Sequence, residues 1–178
     1  GLASLDAYDG QFNYFMAYDP FLSRFRNRPK TYELFIDEPA YRYGRIGFPL
    51  LAKAASLNDP RLYPKVMVWL IVLSHFAGAF FFLRILLFFG RHPLWNLAYF
   101  LVPGFYYSLH VGLPESIYLA LCLAALMFYL QRHVALAALA AGASLFFRET
   151  GVILILAMAA DALVRKRRLA QAALFAGS

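Results

Sequence analysis

Charge is scarce in this chain of 178 residues, at 15% Asp, Glu, Lys and Arg against 62% apolar residues. A soluble domain of that size would have too little polar surface to cover itself, so lipid is the expected solvent for most of the chain. Cysteine is nearly absent. Cys122 stands alone inside an apolar block, which excludes an internal disulfide and reads as a small core residue. Glycine-rich phosphate loops, zinc-ligand spacings, nucleophile elbows and nucleic-acid signatures are all missing, which removes the soluble-enzyme templates. A net charge of +7 does not restore a nucleic-acid partner. The basic residues are dispersed among hydrophobic segments and not gathered on one polar face. No signal-peptide pattern is visible at Gly1, and a start in a polar segment with an end just after a basic cluster leads us to expect part of a longer chain.

What is present is a series of long apolar blocks with charges at their ends, the pattern of spanning helices. The expected fold is all-α, a polytopic transmembrane helix bundle behind an extracytoplasmic, interfacial N-terminal region of short amphipathic helices. Residues 1–63 form that region, punctuated by Pro20, Pro29, Pro39, Pro49 and Pro60. Phe12, Phe15 and Met16 repeat at i, i+3, i+4, and Ile46, Leu50, Leu51, Ala54 and Leu57 do so again. Both stretches predict short helices at the membrane surface.

The bundle occupies 64–178. Its firmest span is Val66–Phe89, long enough at about 1.5 Å per residue to cross roughly 30 Å of hydrocarbon. Arg91, His92 and Pro93 end it. A second block, 94–109, carries Pro103 and Gly104 and is expected to be kinked or broken; a third covers 115–130. Blocks 134–147 and 151–164 follow, separated by Arg148, Glu149 and Thr150 and closed by the basic run 165–168. Each gives only about 21 Å as helix. Two readings stand: a hairpin whose tip sits in a recess below the membrane surface, or one long helix with Arg148 and Glu149 at its centre.

If the blocks alternate, the connections at 91–93, 131–133 and 165–168 share one face and all are basic, so that face is cytoplasmic. The opposite face collects residues 1–63, the 110–115 turn and Arg148–Thr150. Asp9, Asp19, His110, Glu115, Arg148 and Glu149 would then meet on the extracytoplasmic side. Asp9 precedes a helix and is equally suited to an N-cap. Arg42 and Arg45, among aromatics at the start of a surface helix, suit a phosphate or lipid headgroups. Glu115 opens the third span, where it would stabilise the positive end of a helix or accept a proton or a sugar hydroxyl. Arg148 and Glu149 are the most costly polar residues in the chain, and intramembrane charges are usually paired, inward-facing and functional.

The order of motifs carries a resemblance. An aromatic-Asp pair, Tyr8-Asp9, opens the long first region; Pro103-Gly104-Phe105-Tyr106-Tyr107-Ser108 leads to Pro114-Glu115-Ser116-Ile117-Tyr118; Phe147-Arg148-Glu149-Thr150-Gly151 follows. This series resembles the polytopic GT-C glycosyltransferases, above all the branch around the mannosyltransferase that adds the second mannose of GPI anchors and its bacterial relatives. The resemblance implies a polyprenyl-phosphate sugar donor, mannose among the candidate sugars, and inverting transfer to an acceptor hydroxyl on the outer face of a bacterial cytoplasmic membrane. Carried onto matching positions, it makes Asp9 the catalytic base and places Glu115 and Arg148 in the pocket. This chain departs from the pattern at Pro114, where the branch has a hydroxyl residue, and in having no span before Asp9. A divalent cation is a candidate cofactor through lone carboxylates, with no ligand cluster that compels it. Two other functions fit the same composition: a transporter segment with a solute path lined by Arg148 and Glu149, and a non-catalytic membrane assembly subunit.

Overall fold

A computed structural model describes the backbone of residues 9–23 and 42–176 and the side chains of 10–23 and 42–164. Among these residues the chain is helical, without strands. In order come α1 (Asp9–Tyr18), α2 (Gly47–Ala55), α3 (Tyr63–Phe88), a 3-10 turn (Pro93–Asn96), α4 (Leu97–Phe100), α5 (Pro103–Val111), α6 (Glu115–Leu130), α7 (Val134–Leu145) and α8 (Gly151–Ala176).

Only α3, among the described residues, is long and apolar enough to cross a membrane, with a mean hydropathy of 2.2 over its best window. Pro64 sits in its first turn, where the missing N–H costs nothing. Gly90, left-handed at φ +65°, ends it. Trp69, Leu73, Phe76 and Phe80, spaced at i, i+4, i+7 and i+11, are each more than half exposed. One whole face of the span is therefore left to solvent or lipid.

The expected span over 94–109 is not one helix. His92 accepts a hydrogen bond from the Leu94 amide at 3.2 Å and caps the 3-10 turn. Val102 is then extended, as the residue before a proline prefers, and α5 starts at Pro103. Gly112 at φ +74° closes α5, its amide bonding the Ser108 carbonyl at 2.8 Å.

The 134–164 stretch is two helices. Gly151 permits the reversal: a Cβ there would lie 2.5 Å from Ser144 Oγ. Ala140 and Ala141 of α7 and Ala124 and Ala125 of α6 form a seam of small residues against which Leu154 and Ile155 of α8 pack, and it lets three helices approach closely. At the far end Tyr129 donates to Asp161 at 2.6 Å. The basic run 165–168 does not close α8, which continues to Ala176. Arg, Lys, Leu, Ala and Gln are all good helix formers, and no proline or glycine interrupts them before Gly177.

The surface helices correct the expected stripes. On α2 the buried residues are Phe48, Pro49 and Ala52, while Leu51 is exposed and Leu57, just past its end, is exposed at 91%. The apolar stripe at Ile46, Leu50, Leu51, Ala54 and Leu57 exists in sequence, but the small residues Gly47 and Ala52 choose the packed side. A Cβ on Gly47 would lie 2.7 Å from the Phe146 carbonyl, which the Gly47 amide bonds at 2.9 Å. On α1, Phe12, Asn13, Met16 and Ala17 are buried and Phe15 stands at the rim. Ala17, Phe48, Tyr63, Met67, Ile117 and Phe147 share one core. It ties α1, α2, the starts of α3 and α6, and the α7–α8 turn into one end of the molecule.

Candidate functional site

Above that core lies a cavity of about 410 Å³. Its walls come from five places in the sequence: Asn13 and Met16 on α1, Arg42 and Arg45 ahead of α2, Gly104, Tyr107 and Ser108 on α5, Leu113, Pro114 and Glu115 at the turn into α6, and Phe147 and Arg148 in the α7–α8 turn. A volume near the low end of the roughly 300–1,000 Å³ usual for small-molecule sites accommodates a single phosphorylated ring.

Each element reaches the site for a local reason. α1 rests on the α5–α6 turn backbone to backbone, because Gly10 and Gly112 face each other; a Cβ on Gly10 would lie 2.5 Å from the Val111 carbonyl. Asn13 Nδ2 then donates to the Gly112 carbonyl at 3.0 Å. Pro114 precedes α6 and sets Glu115 in its first turn, where a carboxylate meets the positive end of the helix. The 146–150 turn carries Arg148 towards Glu115.

Two ion pairs organise the charges. Arg148 Nη2 lies 3.0 Å from Glu115 Oε1, joining two side chains that are 37% and 28% exposed. Arg45 grips Glu149 with both arms of its fork, Nε to Oε2 at 2.9 Å and Nη2 to Oε1 at 2.5 Å. These hydrogen bonds from Arg45 are the main reason the Glu149 carboxyl is pushed down to about 2; a local backbone bond and the charges of Arg45 and Arg148 add to the effect. The Arg42 guanidinium sits 4.3 Å from the centroid of the Phe12 ring, within cation–π range. Glu115 Oε2 is buried and makes no hydrogen bond among the described residues. Ser108 is fully buried against the same cavity, and its Oγ is likewise without a partner there. Polar oxygens left so are costly unless something else satisfies them.

Of the residues singled out from sequence, Arg42, Arg45, Glu115 and Arg148 line the cavity and Glu149 stands at its edge on Arg45. His110 does not join them; it is exposed in the last turn of α5 and is absent from the lining. Asp9 is the first residue of α1, next to the Gly10–Gly112 contact, but its side chain lies outside the described residues. Asn13, Tyr107 and Ser108 were not among the expected site residues. Asn13 lies off the Phe12, Phe15, Met16 repeat, which gives no signal for it; Ser108 carries no signal beyond its place in the Pro103–Ser108 motif. No group of three or more His, Cys, Asp or Glu side chains gathers for a metal ion among the described residues. Compared with protein-family models, curated proteins and solved structures, the chain matches none.

Proposed function

We propose that this chain is the working part of a membrane glycosyltransferase, taking a sugar from a polyprenyl-phosphate donor to an acceptor hydroxyl at the extracytoplasmic surface. The observation that carries the reading is the cavity: three arginines and one carboxylate, drawn from segments more than 100 residues apart, meet at the end of an apolar span with an exposed lipid-type face. A polar recess opening beside such helices is what a lipid-borne anion requires.

In this reading the donor phosphate lies among Arg42, Arg45 and Arg148, whose charges stabilise the phosphate as it departs with the electron pair of the broken glycosidic bond. The Asp9 carboxylate removes the proton of the acceptor hydroxyl, whose oxygen attacks the anomeric carbon from the opposite side. The Glu115 oxygen without a partner accepts a hydrogen bond from the sugar. Arg148 is tied to Glu115, so bringing a phosphate to Arg148 also fixes the carboxylate beside it. The solute-path alternative draws less support, because Arg148 and Glu149 stand in a turn at one end of the helices, each held by an oppositely charged partner.

The test is transfer by membranes carrying the full-length protein, supplied with labelled polyprenyl-phosphate mannose or glucose. Asp9→Asn is expected to lower the rate by about 10²-fold or more, as loss of a general base does, and Arg148→Ala to raise KM with it. Transfer at the parental rate by Asp9→Asn removes Asp9 from catalysis. No transfer from any polyprenyl donor removes the enzymatic reading.

A further inference from the structure

Arg148 stands in the turn between α7 and α8 with a neutral hydrogen bond two residues away on either side. Before it, the Phe146 carbonyl accepts the Gly47 amide at 2.9 Å. After it, the Thr150 hydroxyl donates to the Tyr118 hydroxyl at 3.1 Å. Between the two, Phe147 is buried in the core shared with α1, α2 and the starts of α3 and α6. The backbone carrying Arg148 is thus tied at both ends and pegged beside the arginine itself.

Tyr118 suits this role because of its place on α6. It follows Glu115 at i+3, so both side chains leave the same face of the helix. That face meets the turn in two rungs, Glu115 with Arg148 at 3.0 Å and Tyr118 with Thr150. The Tyr118 ring packs against the same core as Phe147, which makes its hydroxyl a fixed point and not a free end.

The two rungs answer differently to an anion. A phosphate in the cavity competes with the Glu115 carboxylate for the Arg148 guanidinium, because both offer charged oxygens to the same donors. The hydroxyl rung carries no charge, and that competition leaves it in place. It adds little to stability, since Thr150 is exposed and water takes over the bond when it breaks. What it supplies is direction, by keeping the turn on α6 once the ion pair loosens.

We propose that Thr150 and Tyr118 are positioning residues, whose hydrogen bond keeps Arg148 aimed into the cavity when the donor phosphate draws it from Glu115. The assignment rests on the reading of the cavity as the donor site.

Transfer kinetics in membranes carrying the full-length protein compare Thr150→Val, which keeps the shape and removes the hydroxyl, with Thr150→Ser, which keeps the hydroxyl. Thr150→Val and Tyr118→Phe are each expected to raise the KM for the labelled polyprenyl-phosphate sugar by about five- to tenfold, the scale of a lost orienting contact. In both, kcat changes by less than about twofold. Thr150→Ser retains the parental KM. The Thr150→Val/Tyr118→Phe double variant is no worse than either single one, because both remove the same bond. In an Arg148→Ala background Thr150→Val has no further effect. A purely structural role predicts instead fewer active molecules, a lower kcat at unchanged KM, and that result overturns the proposal. So do parental kinetics in both single variants, or a KM effect of Thr150→Val that persists undiminished without Arg148. In each of these cases the parent still transfers, and the proposed function stands. A parent that transfers from no polyprenyl donor removes the proposed function and the positioning role together.

Discussion

Arg45 and Glu149 show how a residue pair can be electrostatically well matched and still contribute little to stability. The fork geometry is good, yet the Glu149 side chain is 63% exposed, so solvent screening holds the pair to about 1 kcal/mol or less. Its role is to fix the α7–α8 turn against the segment entering α2. The sign of its pH dependence follows from the depressed carboxyl, which moves from the ordinary 4.5 to about 2. A carboxylate ionised more easily in the folded state stabilises that state fully above its unfolded value and loses the effect as pH falls. The difference in melting temperature between the parent and Glu149→Gln should therefore be constant above about pH 5 and shrink between about pH 4.5 and 2. A difference that persists unchanged at pH 2 would show that the pair does not form. Arg148 and Glu115 are less exposed than Glu149, and removing one partner there leaves a partly buried charge behind, a larger penalty than the pair itself supplies.

At the level of elements, the site depends on a close approach of α1 to the α5–α6 turn. Gly10→Ala puts a methyl group 2.5 Å from the Val111 carbonyl oxygen and 3.5 Å from Gly112 Cα. Backbone atoms cannot swing aside, so α1 must move, at a cost of about 1–3 kcal/mol, partly offset by the better helix propensity of alanine. Gly142 on α7 is the control, since a Cβ there meets nothing within 4 Å. Gly142→Ala is expected to be neutral or stabilising by up to about 1 kcal/mol. Thermal unfolding in detergent compares them; equal melting temperatures for the two variants would contradict the Gly10–Gly112 contact. The breaks between elements are legible in the sequence at Pro103, the 110–115 turn and the Arg148–Thr150 interruption. The packed side of α2 was not. Apolar periodicity marks a stripe but does not say which of two apolar sides another helix will cover, and here the small residues Gly47 and Ala52 settled it through the close contact with Phe146. The basic run 165–168 predicts a stop, yet α8 continues through it, because charged residues end an apolar block and not a helix.

For the molecule as a whole, α3, α6 and α8 run one way and α7 runs back between them. Tyr63 and Met67 of α3, Ile117 of α6 and Phe147 of the α7–α8 turn lie in one core, while Phe81 of α3 and Phe128 of α6 meet further along the bundle and Tyr129 meets Asp161 at its far end. The cavity and both ion pairs belong to the first end. If the chain lies across a membrane in the expected sense, a membrane-impermeant maleimide in a Cys122→Ser background labels Asn58→Cys in intact cells and Arg132→Cys only after permeabilisation. The reverse pattern would put the cavity in the cytoplasm and exclude an extracytoplasmic acceptor.

The sequence by itself determined the helical class, the one helix among the described residues long and apolar enough to cross a membrane, and where the apolar blocks break, because hydropathy, proline and glycine act locally and leave their mark on neighbouring residues. It also named Arg42, Arg45, Glu115 and Arg148 as candidates, since charges beside long apolar runs are too costly to be incidental. Only the tertiary structure decided that these four converge on one cavity, that His110 stays outside it, and that Asn13 and Ser108 belong to its walls. Those outcomes depend on backbone contacts of Gly10 with Val111 and of Gly47 with Phe146, between segments distant in sequence. The absence of a side chain at such a position records that something comes close without saying what.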